Sequence, residues 1–104
     1  RLPDFITKAD FDWAAATAAK KKKLDCSVAE FLTVDEGLCV QILHLGSFDS
    51  EGESVAKMDE FLRANGYEND LCDARWHHEI YLSDPRRVAA DRRKTVIRHP
   101  VRKA

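Results

Sequence analysis

The segment His77-His78-Glu79-Ile80-Tyr81-Leu82 is the most informative part of this chain, because it places an acid and an aromatic ring in an otherwise apolar run. In an extended segment, successive side chains point to opposite faces of the sheet. One face would then carry His77, Glu79 and Tyr81, and the other would carry His78, Ile80 and Leu82. The pattern predicts a strand with one core face and one face typical of a binding site.

Two helices are predicted from composition and capping. Asp10–Lys23 is alanine-rich and lacks Gly and Pro, and its first acid lies three residues after Thr7, as in a weakened capping box. A second helix follows Ser50, which has a glutamate three residues later, and its apolar stripe continues to Gly66, a residue suited to a left-handed helix end. Both segments have the spacing of amphipathic helices.

Four strands complete the prediction. Val28–Val34 and Leu38–Leu45 are apolar runs separated by a turn at Gly37, which predicts a hairpin. A strand through Glu79 and a last strand at Lys94–Val101 follow the second helix. The order helix, strand, strand, helix, strand, strand predicts an α+β fold with an antiparallel sheet and helices on one of its faces.

Charge and cysteine content exclude several classes of function. The 17 basic and 18 acidic residues give a net charge of −1, which disfavours nucleic acid as a partner. No apolar run approaches the roughly 20 residues that span a bilayer, so we expect no membrane partner. The three cysteines have no metal-ligand spacing, which favours reduced thiols. The lack of a membrane-length apolar run and of a charged-then-apolar leader predicts a soluble, cytoplasmic protein.

Four segments in the same order resemble the GyrI-like small-molecule-binding family. They are Leu2–Thr7, Glu36–Gly46, His77–Arg87 and Lys94–Val101. The resemblance implies two related strand-helix-strand-strand modules with a ligand cleft between them and no cofactor. Residues 1–104 correspond to one module, the second of the usual two, with Asp10–Lys23 and Val28–Val34 as a leading helix and strand.

A single module gives only half of such a cleft. Either a homodimer replaces the pseudo-twofold axis, or a missing N-terminal module supplies the rest of the lining. An uncovered, partly apolar sheet face favours the homodimer.

The resemblance implies that Glu79 is the acid that contacts cationic ligands. Tyr81 and Trp76 are candidate aromatic walls, and the remaining candidates for lining are His77, Gln41 and Phe48. The alternative for Glu79 is a structural pair with Arg98 or His99, and the alternative for Tyr81 is a half-buried position in the sheet. No metal site is predicted, because adjacent His77 and His78 point to opposite faces.

Three functions are compatible with these residues. The first is binding of amphipathic, cationic or polyaromatic small molecules in a cleft on the open sheet face, for sequestration or sensing and without catalysis. The second, implied by the resemblance, is hydrolysis of cyclopropane-bearing electrophiles, with Glu79 as the catalytic residue. The third is a protein-interaction module like the gyrase-inhibiting members of the family.

Overall fold

The computed structural model describes residues 2–104, and these divide into two units, 2–34 and 35–104. The first unit contains helix α1, Lys8–Lys22. The second contains strand β1 (Cys39–Leu45), helix α2 (Glu51–Ala64) and strands β2 (Tyr67–Asn69), β3 (His78–Tyr81) and β4 (Lys94–Lys103). Short 3-10 turns lie at Phe48–Ser50 and Ala90–Arg92. The α+β prediction is confirmed.

Helix α1 begins two residues before the predicted start and has the predicted capping box. The Thr7 hydroxyl accepts from the backbone N–H of Asp10, while an Asp10 carboxylate oxygen accepts from the N–H of Thr7 at 2.9 Å. Three lysines form the last turn, and the residue that follows the helix, Lys23, has a left-handed φ of 54°. No residue of α1 is buried, so its visible stabilisation comes from local capping, from charge and from the Phe11 ring, which lies 5.8 Å from the Phe31 ring.

The predicted strand at Val28–Val34 is wrong. These residues form a turn and irregular chain, and the side chains of Val28 and Leu32 are 85% and 61% exposed. Instead of closing a hairpin, the Asp35 carboxylate accepts from the N–H of Gly37 at 3.0 Å in a local turn. A β-branched run forms a strand only where another strand accepts its backbone bonds, and the partner of β1 is β4.

Strand β4 organises the sheet, because each of the other three described strands pairs antiparallel with it. Strand β1 pairs from Cys39 opposite Pro100 to Leu45 opposite Lys94. Strand β3 pairs with the same part of β4, so β4 lies between β1 and β3. Strand β2, a short polar segment that the sequence did not predict, pairs with the last three residues of β4.

Helix α2 covers one face of this sheet. Its Met58 and Leu62 are buried together with Ile97 and Val101 of β4, and these four form the apolar core. His44 of β1 fixes the orientation, because its Nδ1 lies 2.7 Å from the Ser54 hydroxyl of α2. Residues paired across antiparallel strands share a face, so the row Ile42, Ile97 and Glu79 faces α2 as well.

The start of α2 differs from the predicted capping box. Ser50 caps no helical N–H with its side chain; its hydroxyl donates to the Ser47 carbonyl at 2.9 Å and lies 3.1 Å from His44 Nε2. The reason is the preceding 3-10 turn, which leads directly into the helix and satisfies the N–H of Ser50 through the Ser47 carbonyl. The left-handed end at Gly66, with φ of 76°, is confirmed.

No helix within residues 2–104 combines the length and the apolar character needed to cross a membrane.

Candidate functional site

Glu79 lies at the centre of a hydrogen-bonded cluster on the α2 face of the sheet. Its Oε2 accepts from the Tyr81 hydroxyl at 2.7 Å, and its Oε1 lies 3.0 Å from His77 Nε2. The alternation of an extended segment places these three side chains on one face, and β3 holds Glu79 opposite Ile97 of β4. The structure thus brings together His77, Glu79 and Tyr81, the three residues that the sequence assigns to one face.

A second carboxyl group, which the sequence did not indicate, reaches the cluster from α2. Glu51 is the first residue of that helix, and it shares a hydrogen bond with Glu79. Burial, followed by the hydrogen bond to Glu79 and the negative charge of Glu79, raises the pKa of Glu51 above its ordinary value. Hydrogen bonds from His77, Tyr81 and Glu51 lower the pKa of Glu79.

The two carboxyl groups therefore divide the roles of acid and base. Two carboxylates can share a hydrogen bond only if one of them carries a proton, and the opposite shifts assign that proton to Glu51. The buried Oε1 of Glu51 has no donor partner among the described residues, which also disfavours a charged Glu51. Of the two, Glu51 therefore keeps its proton to a higher pH than Glu79 does.

His99 extends the cluster into the sheet. It lies on β4, is 5% exposed, and places its Nε2 2.6 Å from His77 Nδ1. Its other nitrogen, Nδ1, is buried and has no hydrogen-bond partner among residues 2–104. Burial lowers the pKa of His99, and a charge on His77 would lower it further.

Aromatic rings flank the carboxylates at the surface. The edge of the Phe48 ring meets Tyr81 at a centroid distance of 5.5 Å, and Tyr81 is 60% exposed. The Arg93 guanidinium lies 5.4 Å from the centre of the Phe48 ring, in cation–π geometry. Phe48 thus reaches the cluster, as the sequence predicts for it.

Two predicted site residues do not reach Glu79. Gln41 lies on the opposite face of the sheet, where its Oε1 accepts from Arg98 at 3.1 and 3.0 Å. Trp76 is 48% exposed and donates from its indole N–H to the Asp73 carbonyl at 2.6 Å. Neither of the named alternative partners contacts Glu79 directly, because Arg98 binds Glu36 and His99 contacts His77. Glu79 is paired instead with His77 and Tyr81.

The location of the predicted cleft needs correction. We expected the site on the open sheet face, but Glu79 and Tyr81 lie on the face that α2 covers, beside the first turn of that helix. The open face instead carries the exposed Leu43 and Leu45. The physical reason is the register, which places Glu79 in the same row as the fully buried Ile97.

No group of three or more metal-binding side chains has the arrangement of a metal site in the described part of the chain. The side chains of the cluster, which are two carboxyl groups, a phenol and imidazole rings, can bind a cation or exchange protons with a ligand.

Comparison with known proteins identifies the family of this chain. The model of the GyrI-like small molecule binding domain matches residues 4–102. The chain belongs to the GyrI-like small-molecule-binding family. The predicted resemblance is thereby confirmed for nearly the whole chain.

Solved structures of GyrI-like proteins share this fold. A hydrolase from Listeria innocua is 42% identical with a TM-score of 0.91, and the match covers 98% of this chain and 52% of that one. An uncharacterized conserved protein from Listeria innocua is 43% identical with a TM-score of 0.91, covering 98% of this chain and 50% of its own. This chain therefore spans about half the length of the solved structures that it matches. No curated protein matches the chain.

Proposed function

We propose that this chain binds amphipathic small molecules, cationic or polyaromatic, at the cluster around Glu79. The family match supports small-molecule binding in general. The observation that carries the finer proposal is that the side chain of Glu79 is only 22% exposed and yet its pKa is held below the ordinary value by hydrogen bonds. A carboxylate kept ionised in a partly desolvated position attracts a cation more strongly than one on the open surface.

Aromatic surface beside the charge favours a ligand that is also apolar. Tyr81 is exposed and leans on Phe48, so a flat or lipophilic cation placed against Tyr81 would meet both a ring and the Glu79 carboxylate.

Calorimetric titration with tetraphenylphosphonium and uncharged polyaromatic analogues tests the proposal. We expect the wild-type chain to bind the cation and Glu79→Gln to lose more than 1 kcal/mol, a factor above about fivefold in Kd. Glu53→Gln is the matched control, since Glu53 is an exposed acid in the same helical turn as Glu51. Equal loss in Glu53→Gln would show that only general surface charge is being measured.

Hydrolysis is a second candidate, favoured by the paired carboxyl groups. Glu79, as the base, would accept a proton from water while the water oxygen bonds to an electrophilic carbon. Glu51, as the acid, would protonate the carbon released when a strained cyclopropane bond breaks. Two solved relatives, the hydrolase described above and a hydrolase encoded by lin2189 from Listeria innocua, carry that name.

Turnover separates the two candidates. Incubation with a cyclopropane-bearing electrophile, followed by mass spectrometry, detects a product heavier by one water if the chain is a hydrolase. Glu51→Gln should then abolish product formation while leaving tetraphenylphosphonium binding intact. A chain that saturates with ligand and yields no product is a binder only.

The site is proposed to be completed by a second module or a second copy of this chain. The match to half of each solved relative supports this. The exposed Leu43 and Leu45 lie on the sheet face opposite Glu79, so they support association of two copies rather than completion of the site itself. Of the two, we propose the homodimer, and sedimentation at micromolar concentration should give twice the chain mass. A monomer would favour a separate module.

A further inference from the structure

His99, His77 and Glu79 form a continuous row of hydrogen bonds, and the direction of each bond can be deduced from the ring nitrogens. His99 Nε2 lies 2.6 Å from His77 Nδ1, and His77 Nε2 lies 3.0 Å from Glu79 Oε1. A neutral imidazole has one N–H donor and one acceptor nitrogen, whereas an imidazolium has two donors. Only one of the two nitrogens in the His99–His77 contact can therefore carry a hydrogen.

The buried end of the row fixes the tautomer of His99. Its Nδ1 is buried without a partner in residues 2–104, and a buried N–H without an acceptor is rarer in folded proteins than an unpaired acceptor. Burial also lowers the pKa of His99, which keeps the ring neutral. The hydrogen of His99 is thus assigned to Nε2, from which it donates to His77.

This donation determines what His77 can do. Since His77 Nδ1 accepts from His99, it cannot also carry a hydrogen, so the hydrogen of His77 lies on Nε2 and is donated to Glu79. His77 then satisfies Glu79 with a hydrogen bond but with no positive charge. An imidazolium in the same place would form an ion pair with Glu79 and compete with a bound cation.

We propose that His99 is a positioning residue of the Glu79 site: it holds His77 as a neutral donor, so that no imidazolium forms an ion pair with Glu79 in competition with a cationic ligand. The part that concerns the ligand rests on the proposed binding function. The hydrogen-bond direction stands on the geometry alone.

Other titratable groups around the row act more weakly or on other members. Asp59 of α2 raises the pKa of His99, but burial acts more strongly in the opposite direction. Glu51 and Tyr81 both form hydrogen bonds with Glu79, and Glu51 also interacts electrostatically with His44 and more weakly with His77. Within the described residues, His99 is therefore the group that faces His77 Nδ1.

The first test is nitrogen NMR of the full chain with labelled histidine, which reports the protonation of each ring nitrogen. We expect His99 and His77 both to be protonated on Nε2 and not on Nδ1 at neutral pH. A hydrogen on Nδ1 of either ring would overturn the proposal. This measurement needs no variant and no ligand.

The second test is the pH dependence of binding, with tetraphenylphosphonium as the probe at pH 8 and pH 5.5. In His99→Phe, His77 Nδ1 is open to protonation, and we expect affinity at pH 5.5 to fall about fivefold or more relative to pH 8. The amide of His99→Gln can still donate to His77. For this variant and for wild type, the affinity for the probe should differ by less than about twofold between pH 8 and pH 5.5. His78→Gln is the control, because His78 lies on the opposite face beside Glu36.

The outcomes separate the two proposals. A His99→Phe variant with the wild-type pH profile would overturn the positioning role of His99, as would a His78→Gln variant with the His99→Phe profile. Failure of the wild-type chain to bind the probe at either pH would overturn the proposed cation binding, while the NMR assignment would still decide the role of His99.

Discussion

The two glutamates of the site differ in protonation although they touch, and their surroundings account for the difference. Glu79 receives hydrogen bonds from His77 and Tyr81, whereas the buried oxygen of Glu51 receives none in the described structure. Each donor stabilises the ionised form of the residue that it contacts. Glu79 is thus the more acidic of the two, and Glu51 is the more readily protonated.

This pair predicts opposite effects of pH on stability. The lowered pKa of Glu79 contributes stability above its ordinary pKa, and the contribution is lost as pH falls through the lowered value. The raised pKa of Glu51 contributes stability below its ordinary pKa of about 4.3, and that contribution is lost as pH rises through the raised value. Above about pH 4.3, a further rise in pH should therefore reduce the stability contribution of Glu51 and leave that of Glu79 unchanged.

Glu51→Gln should remove this penalty, because the amide is neutral at every pH and can still donate to Glu79. We expect its free energy of unfolding to improve relative to wild type as pH rises from 4.5 to 8, by on the order of 0.5 kcal/mol since the site is partly open to solvent. Urea unfolding at several pH values measures the difference. The Glu53→Gln control should show no such trend; a flat difference for Glu51→Gln would mean that Glu51 ionises normally.

Residue-scale features that depend on local geometry could be predicted from the sequence. Strand alternation placed His77, Glu79 and Tyr81 together, because it needs only consecutive residues in extended chain. Glu51 could not be found in this way, since it lies on a different element and only the packing of α2 on the sheet brings it to Glu79. The sequence offers His99 only as a direct partner of Glu79, and its link through His77 depends on the pairing of β4 in the sheet.

At the scale of elements, β4 explains both the success and the failure of the strand predictions. Its own apolar, β-branched sequence identified it, although the strand extends two residues beyond the expected end. The hairpin at Val28–Val34 failed because sequence neighbours are the commonest but not the only strand partners, and β1 pairs with the distant β4 instead. The polar β2 is a strand because of its pairing with β4 rather than its composition.

Substitutions in β4 should separate its two faces. Ile97 is fully buried beneath α2, and Ile97→Ala should lower the free energy of unfolding by about 2–5 kcal/mol through the lost burial and the cavity left behind. Val96 is the matched neighbour on the open face and is only partly buried. Chemical denaturation of Val96→Ala should give a clearly smaller loss. Equal losses would show that a partner covers the open face in solution.

At the scale of the whole molecule, stability is distributed unevenly. Unit 35–104 contains the core residues Met58, Leu62, Ile97 and Val101 together with the entire Glu79 cluster. Unit 2–34 has a helix without buried residues, followed by chain that has neither helix nor strand. The site and the core thus share one cooperative unit, and the segment before it has few bonds to resist opening.

Hydrogen exchange should display this contrast. Backbone amides of 24–34 should exchange within the first time points, since the described bonds there are few and local. Amides of β4 that bond to β1 should be the slowest in the chain. Mass spectrometry of peptides from the intact chain resolves both segments. Strong protection of 28–34 would contradict the irregular structure and restore the predicted hairpin.

The position of β4 along the chain also affects synthesis at the ribosome. Each described strand hydrogen-bonds to β4, which is made after all of them, so no strand pair of this sheet can form until Lys94 and the residues beyond it have left the exit tunnel. Until then the apolar β1 segment emerges without its partner and is open to other chains or to chaperones. The sheet, and with it the site at Glu79, is therefore assembled in a single late step by long-range pairing, which folds more slowly than local structure.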